Sequence, residues 1–358
     1  MARLRVELAS DADANAWNEF VEEHNGSVYH LYEWRRVLEE GCGYKCYYLM
    51  AYESGELRAV FPLATLGRLL VRGLSSLPMS DYGGPILAEP ERGAEVLDAL
   101  LKVAYGLSGG RGLEVRSPRQ PQVRRYMKSR ASAAFRRYVS FLIELAPSFD
   151  YMWRDVFNKE LRKKIKKAQK HDIEVEVGEF GSLAHPFYRL YLMSMRRLGS
   201  PPHAFRFFEE CRKALGDRRV KIFLARKEGR PIAALFVLLH GLTIYPAYEG
   251  SDAAYRDLNP VSLLYSEVIR WGCEHGFRLL DFGRTLYGSG VFVFKRKWRG
   301  KQKQRVRLVR QPYYYLWRKR AIQDPRDRFT FLPKLWRTFV KGQIALLIGP
   351  ILKIEFGY

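Results

Sequence analysis

Arg278-Leu279-Leu280-Asp281-Phe282-Gly283-Arg284, followed by Gly288-Ser289-Gly290 and Phe292-Val293-Phe294-Lys295-Arg296-Lys297-Trp298, is the stretch on which the reading of the chain turns. An apolar run ends in a carboxylate, a glycine and an arginine, as in a strand that delivers polar groups at its end. A glycine-loosened turn follows, whose backbone can approach a ligand closely. Alternation at Phe292, Phe294 and Trp298 predicts a half-buried strand with cations on its other face. The plainer alternative is a hairpin with a solvated basic face.

The surrounding chain is long enough for two ordinary domains: 358 residues, of which 47% are hydrophobic. Lys and Arg number 61 against 38 Asp and Glu, a formal charge of +23. Such an excess implies an anionic partner, whether nucleic acid, a phosphate-bearing substrate or an anionic membrane face. Cys42, Cys46, Cys211 and Cys273 form no Cys-x-x-Cys pair and have no His cluster at zinc spacing, so no metal site is expected and the compartment reads as reducing. The N-terminus lacks a signal-peptide core, and no window offers roughly 18 consecutive apolar residues. The expectation is a cytoplasmic protein, free or attached to the cytoplasmic face of the membrane.

Helices are expected within 13–41 and over 91–106, with strands at 44–52, 57–66, 113–116 and 138–145. A new unit opens at 147 with a capped helix running to Lys170, where Phe157, Leu161, Ile165 and Ala168 make a narrow apolar seam and the second half, Lys159 to Lys170, carries seven cations and one acid. A strand at 173–177, helices at 184–198 and 203–215, strands at 220–226, 231–239 and 242–249, and a helix at 260–275 follow. The halves match. Strand, Glu53-Ser54-Gly55-Glu56 turn and strand answer strand, Lys227-Glu228-Gly229-Arg230 turn and strand. Helix and Gly112-Leu113-Glu114-Val115-Arg116 answer helix and 279–284 at the same offset, which suggests an internal duplication of a mixed α/β unit. The expected domains are 1–146, 147–312 and a basic, aromatic, amphipathic tail at 313–358.

Trp34, Asp81-Tyr82-Gly83-Gly84-Pro85, 161–168, Met195-Arg196-Arg197-Leu198-Gly199-Ser200-Pro201-Pro202, Asp281-Phe282-Gly283-Arg284, Gly288-Ser289-Gly290, Phe294-Lys295-Arg296-Lys297-Trp298 and Gly349-Pro350 share an order with one known family. With them the chain resembles the Fem family of peptidyl-bridge aminoacyltransferases, and more closely the Fem-like proteins associated with exosortase and cell-envelope systems. The resemblance implies α/β architecture with two tandem GNAT-like N-acyltransferase domains. It also implies transfer of an acyl or aminoacyl group to an amine, with no permanently bound cofactor and with aminoacyl-tRNA or acyl-CoA as donor. By position, Lys295 corresponds to a lysine that assists the reaction and Arg197 to a phosphate-binding arginine. Two departures stand out. Ile86-Leu87-Ala88 replaces a frequent carboxylate after the Gly-Pro, and Arg284 to Gly290 is one residue too long for the usual CoA-binding pattern.

Direct transfer needs a deprotonated amine, adjacent substrates and donors for the developing oxyanion. No Gly-x-Ser-x-Gly elbow, His-Glu-x-x-His or Gly-Lys-Ser/Thr loop is present. Lys295 is the first candidate as a cation facing the oxyanion or a phosphate, against a surface cation beside Lys297. Arg284 is aimed at a cleft or paired with Asp281. Asp281 is a base, or the acid that orients Arg284, and Glu249 is the other candidate base or an exposed strand end. Arg197, Lys297, Gly288 and Gly290 are candidate substrate or phosphate contacts. Asp81 and Tyr82 line the cleft or stabilise a turn, and His203 is a cap or surface residue before a base.

The cationic helix and the twelve basic residues between Lys295 and Arg320, interleaved with Tyr313, Tyr314, Tyr315 and Trp317, suit RNA stacking or a membrane interface. The apolar and cationic tail, broken at Gly349-Pro350, favours an anionic leaflet. The partners expected are an anionic acyl donor, a phosphate-bearing acceptor, tRNA and an anionic membrane surface, around a monomer. The function expected is transfer to an amine of a phosphate-bearing envelope or glycan precursor. The alternative is a non-catalytic RNA- or anionic-lipid-binding module on a degenerate GNAT frame.

Overall fold

Two tight turns set the pattern of the whole molecule. In the computed structural model, which describes residues 4–67, 73–300, 302–317 and 343–356, Ser54 and Gly55 have φ of 53° and 89°, and Glu228 and Gly229 have φ of 51° and 74°. Positive φ at both central residues gives the turn whose twist matches paired strands. Each joins a hairpin: β2 (Cys46–Glu53) with β3 (Glu56–Thr65), and β10 (Val220–Lys227) with β11 (Arg230–His240). Both hairpins carry a register break just before the turn, at Ala51/Tyr52 and at Ala225/Arg226. The expected duplication is visible down to this irregularity.

The first sheet runs β1-β2-β3-β4-β6-β16-β7, with β5 on β3. Its remaining strands are β1 (Leu4–Leu8), β4 (Leu74–Ser75), β5 (Ile86–Leu87), β6 (Leu113–Arg116), β7 (Ala133–Phe135) and β16 (Tyr313–Leu316). The second runs β14-β8-β13-β12-β11-β10-β9, with β15 on β8. It adds β8 (Tyr138–Glu144), β9 (Ile173–Gly178), β12 (Thr243–Ser251), β13 (Leu279–Asp281), β14 (Thr285–Leu286) and β15 (Val306–Arg310). Each half has one parallel pair, β4 with β6 and β12 with β13. Each pair is bridged by a crossing helix, α3 (Ala94–Ser108) in the first half and α9 (Pro260–Glu274) in the second.

Strand alternation sorts the core into layers. Met50, Val60, Ala64, Ile222, Leu224, Phe236 and Leu238 point into one core shared by both sheets. That core is closed by α1 (Ala14–Glu23), α2 (Trp34–Cys42), α7 (Phe180–Leu198) and α8 (Phe205–Leu215), which supply Trp17, Trp34, Phe187 and Phe208. The outer face of the first sheet is covered by α3 and α4 (Pro121–Arg130). The outer face of the second packs on α9 and on α6 (Lys159–Gln169), whose Leu161, Ile165 and Ala168 form the expected seam. The halves are thus welded by a common interior.

Several expectations change. The chain from 147 to 170 is a turn, α5 (Phe149–Tyr151), a wider turn at Met152–Val156, and then α6. Asn158 restarts the helix, accepting from Leu161 N at 2.8 Å. Phe292 to Trp298 is no strand: α10 (Gly290–Arg296) begins where the Ser289 side chain caps Phe292 N. The inward residues Phe292, Lys295 and Trp298 recur every third position, which fits a helix as well as alternate pairs fit a strand. The Gly349-Pro350 break is also absent, because α11 (Gln343–Phe356) passes through it. The tail residues Phe331, Lys334, Leu335, Trp336, Arg337, Phe339 and Lys341 lie outside the described residues.

Sheet membership does not follow boundaries at 146 and 312. β8 precedes the second unit in sequence yet lies between β13 and β15 in the second sheet. β16 opens the expected tail yet pairs with β6 and β7 in the first sheet. Tyr313, Tyr314 and Tyr315 are therefore buried core residues, unavailable for stacking on a partner. An inner strand with both faces covered hides every side chain it carries. Tyr315→Ala is expected to lower stability by about 3–5 kcal/mol, as loss of a buried aromatic does. Urea unfolding reads it, and a loss below about 1 kcal/mol would mean that β16 does not hold the first sheet together.

Candidate active site

β12 and β13 pair only at Thr243 with Leu279 and Ile244 with Leu280, and then diverge. β12 continues along β11 to Ser251, while β13 turns its end against β8 through Asp281 and Leu142. The opening admits side chains from both halves. Asp281 stands at its apex, 1% exposed. Its Oδ2 accepts from the Tyr82 hydroxyl at 2.6 Å, and its Oδ1 from Ser140 Oγ at 2.5 Å and Gly283 N at 2.9 Å. Burial raises its carboxyl above the ordinary value, and these donors, with Arg119, pull it back.

The donor from Gly283 fixes the next two residues. Gly283 has φ of 69°, and a Cβ there would lie 2.2 Å from Asp81 Oδ2, so only glycine fits between the halves. Arg284 is thereby directed toward the first half. It donates to the Tyr313 hydroxyl, lies 5.0 Å from the Tyr138 ring, and brings Nε to 4.0 Å from Asp81 Oδ1. Burial works against its charge, but Tyr313, Tyr138 and Asp81 hold its pKa well above the ordinary value. Its acid is Asp81 of the first half, not Asp281. Asp81 also accepts from the Tyr29 hydroxyl at 3.3 Å.

Lys295 enters from α10, 7% exposed. Its Nζ donates to Phe282 O at 2.5 Å and to Thr285 Oγ1 at 2.8 Å. Burial pulls its pKa down to about 8, against the attraction of Asp81, Asp281 and Glu249. Glu249, half-buried on β12, is raised by burial and lowered by Lys295 and then Arg197. It is neither bare nor a strand end. One lysine and three carboxylates therefore share a field between the halves, the setting in which functional pKa values shift.

The other candidates lie apart. Lys297 Nζ is 3.6 Å from Glu160 on α6. Gly288 and Gly290 sit in an exposed turn, where an added Cβ would meet nothing within 4 Å. Arg197, exposed at the end of α7, has Nη2 3.3 Å from Ser194 Oγ and Ser251 Oγ and reaches the centre only through its charge on Glu249. His203 is buried on Phe207, with ring centroids 4.1 Å apart, and burial holds its pKa well below the usual value. Among the described residues no group of three or more His, Cys, Asp or Glu could hold a metal.

Tyr29, Arg119, Tyr138, Ser140, Thr285 and Tyr313 were not legible as site residues. Tyr138 and Tyr313 belong to the exchanged strands β8 and β16, so no local motif ties them to Arg284. Arg119 lies over the Tyr82 ring at 5.0 Å, reaching it from the loop between β6 and α4. Tyr82→Phe is expected to strip Asp281 of one donor and destabilise the fold by about 1–3 kcal/mol. The loss raises the Asp281 pKa further, so the folded state holds a proton that the unfolded state releases. The deficit should be largest at alkaline pH, where Asp281 is ionised, and shrink as pH falls toward the ordinary carboxylate range. Denaturant titrations at several pH values measure it, and a pH-independent deficit would break the link to Asp281.

The model of the acetyltransferase (GNAT) domain family matches residues 156–296. A curated relative, UDP-N-acetylmuramoylpentapeptide-lysine N(6)-alanyltransferase of Weissella viridescens, is 25% identical over 39% of this chain. The match spans 43% of that relative's length, less than half. In fold, the crystal structure of FemX superposes with a TM-score of 0.66 at 14% identity, covering 92% of this chain and all of that one. A tandem GNAT protein from the clavulanic acid pathway gives 0.57 at 10% identity, with 90% and 100% covered. The C-terminal domain of a putative lysylphosphatidylglycerol synthetase from Agrobacterium fabrum gives 0.52 at 13%, with 97% and 98% covered. Residues 156–296 thus match the acetyltransferase (GNAT) domain family, and over nearly its whole length the chain shares the fold of FemX and of a tandem GNAT protein, two mixed α/β halves of one kind.

Proposed function

We propose that the chain transfers an acyl or aminoacyl group directly to an amine of a phosphate-bearing cell-envelope or glycan precursor. The observation that carries this reading is Lys295, a buried lysine with its pKa near 8, held at the mouth between β12 and β13 within the field of Glu249 and Asp81. The amine nitrogen attacks the donor carbonyl, a C–N bond forms, and the C–O bond of an aminoacyl ester or the C–S bond of a thioester breaks. Glu249, its pKa raised by burial, takes the proton of the attacking amine, and the released alkoxide or thiolate is protonated in turn. Lys295 as a cation faces the developing oxyanion. In this reading Arg284 takes phosphate groups of the carrier or acceptor at the centre, and Arg197 does so from the end of α7. Asp281, its oxygens already engaged by three donors, positions the loop and does not serve as base. The step as written draws on no resident cofactor, since the donor brings its own activated carbonyl.

The alanyl transfer to a lysine amine in the Weissella relative's name supports this class of reaction. The test is the full chain incubated with alanyl-tRNA or acetyl-CoA and UDP-N-acetylmuramoyl-pentapeptide, followed by mass spectrometry. Lys295→Ala is expected to lower turnover by about 100-fold or more, the scale of losing one oxyanion donor. Activity of the parent should fall above about pH 8 as Lys295 loses its proton, and Lys295→Arg should move that limb upward because guanidinium stays charged. An active Lys295→Ala variant, or an alkaline limb unmoved in Lys295→Arg, overturns the role. Absence of transfer from any donor favours the non-catalytic alternative.

The same reading places the protein peripherally on the cytoplasmic face of a membrane. No helix among the described residues is long and apolar enough to cross one. α11 docks by one side, where the Tyr44 hydroxyl donates to Ile354 O at 2.6 Å and Ile354 packs on the shared core. Its other side leaves Leu347 70% and Ile351 59% exposed. On a chain of charge +23 this ridge suits an anionic leaflet. Leu347→Glu with Ile351→Glu is expected to weaken co-sedimentation with phosphatidylglycerol vesicles by at least about tenfold, from the apolar area withheld. Unchanged sedimentation would remove α11 from the membrane.

A further inference from the structure

A second cationic cleft lies on the other side of the first sheet from the polar centre. It measures about 280 Å³ and is lined by Arg124, Lys128, Arg136, Arg310, Pro312 and Tyr314. Successive side chains of β16 face opposite ways. Tyr313 and Tyr315 cluster with Tyr138 on the side of Arg284, while Tyr314 packs among Val123 and Met127 beneath α4. Its ring forms a wall of the cleft.

Four cations converge there with no carboxylate in the lining. Several other surface cations find acids: Arg130 pairs with Asp98, Arg206 with Glu40, and Arg58 with Glu53, Glu56 and Glu89. Among the described residues Lys128, Arg136 and Arg310 make no ion pair, and Arg124 turns its Nε to the Pro118 carbonyl. Like charges gathered without a counter-charge repel one another, an arrangement that a bound anion relieves. Arg124 and Arg136 also act on the Tyr314 hydroxyl, pulling down a pKa that burial raises, so that phenol stands beside both guanidinium groups. Guanidinium forks match phosphate oxygens in geometry. The volume, at the lower end for ligand pockets, suits one or two phosphate groups better than a large organic body. Arg310 continues the charge onto β15, which pairs with β8 at the margin of the second sheet.

We propose that this cleft binds a phosphate-bearing ligand, with Arg124, Arg136 and Arg310 taking phosphate oxygens, Lys128 adding charge and the Tyr314 hydroxyl donating at its wall. The site does not depend on the transfer reading and would persist if no transfer occurred. The phosphate could belong to a free pyrophosphate or nucleotide, or to the backbone of RNA. The test uses the full chain with two probes, inorganic pyrophosphate by calorimetry and a labelled oligouridylate by anisotropy. Arg136→Glu with Arg310→Glu is compared with Lys163→Glu and Lys167→Glu, an equal change of charge on α6, which covers the outer face of the second sheet. All four positions are exposed, and Arg136→Gln with Arg310→Gln serves if the reversal disturbs folding. At least a tenfold loss of pyrophosphate affinity in the cleft variant alone assigns a free phosphate ligand. The same loss for oligouridylate, with pyrophosphate not binding, assigns an RNA backbone. Failure of both probes to bind the parent, or an equal loss in the α6 variant, overturns the site.

Discussion

The centre of the molecule depends on one buried carboxylate being satisfied from both halves. Asp281 lies where β13 ends, and an ionised carboxylate at that depth is costly unless its lone pairs are engaged. Ser140 and Gly283 engage one oxygen from the second half, and Tyr82 engages the other from the first. The bond to Gly283 N curls the chain into positive φ, which puts the Phe282 carbonyl under Lys295 and swings Arg284 to Asp81. A single ion thus sets the turn, the lysine and the crossing arginine.

That arrangement explains why the two halves cannot be treated as independent domains. Their sheets face a common core, and their closing strands are exchanged in sequence order. β8 brings Tyr138 and Ser140 to the site before the second unit has begun, and β16 brings Tyr313 after it has ended. The site is assembled only when both exchanges are complete. Its geometry therefore depends on the pairing of both exchanged strands.

The repeating hairpins, the crossing helices and the strand ending at Asp281 were legible because each has a local signature: a tight turn, a period, a change from apolar to polar residues. Arg284 stood out in the same way, as an arginine after an apolar strand and a glycine, whereas Lys295 was picked out by the family resemblance, on a segment read as a strand. The helical form of Phe292 to Trp298 was not legible. Seven residues hold too few turns to separate alternation from a three-residue repeat, and the deciding signal was a single cap at Ser289. The burial of Tyr313 to Tyr315 was hidden for another reason. Strand order is a long-range property, and a basic flanking sequence masks an apolar strand that enters a distant sheet.

The duplication also clarifies why there is one centre and not two. Glu114 of β6 occupies the place in the first half that Asp281 of β13 holds in the second, each on the strand after the crossing helix. Glu114 accepts from Arg116 Nε at 2.5 Å and from Ser75 Oγ at 3.1 Å, with both charged side chains almost wholly buried. Its cation is its own near neighbour, so the acid is closed off within one sheet. In the second half the arginine lies one residue further along, beyond Gly283, and cannot fold back in the same way. It crosses to Asp81, while the acid takes Tyr82. One added residue after the strand converts an internal ion pair into a bridge between halves, beside which Lys295 and Glu249 complete the candidate site.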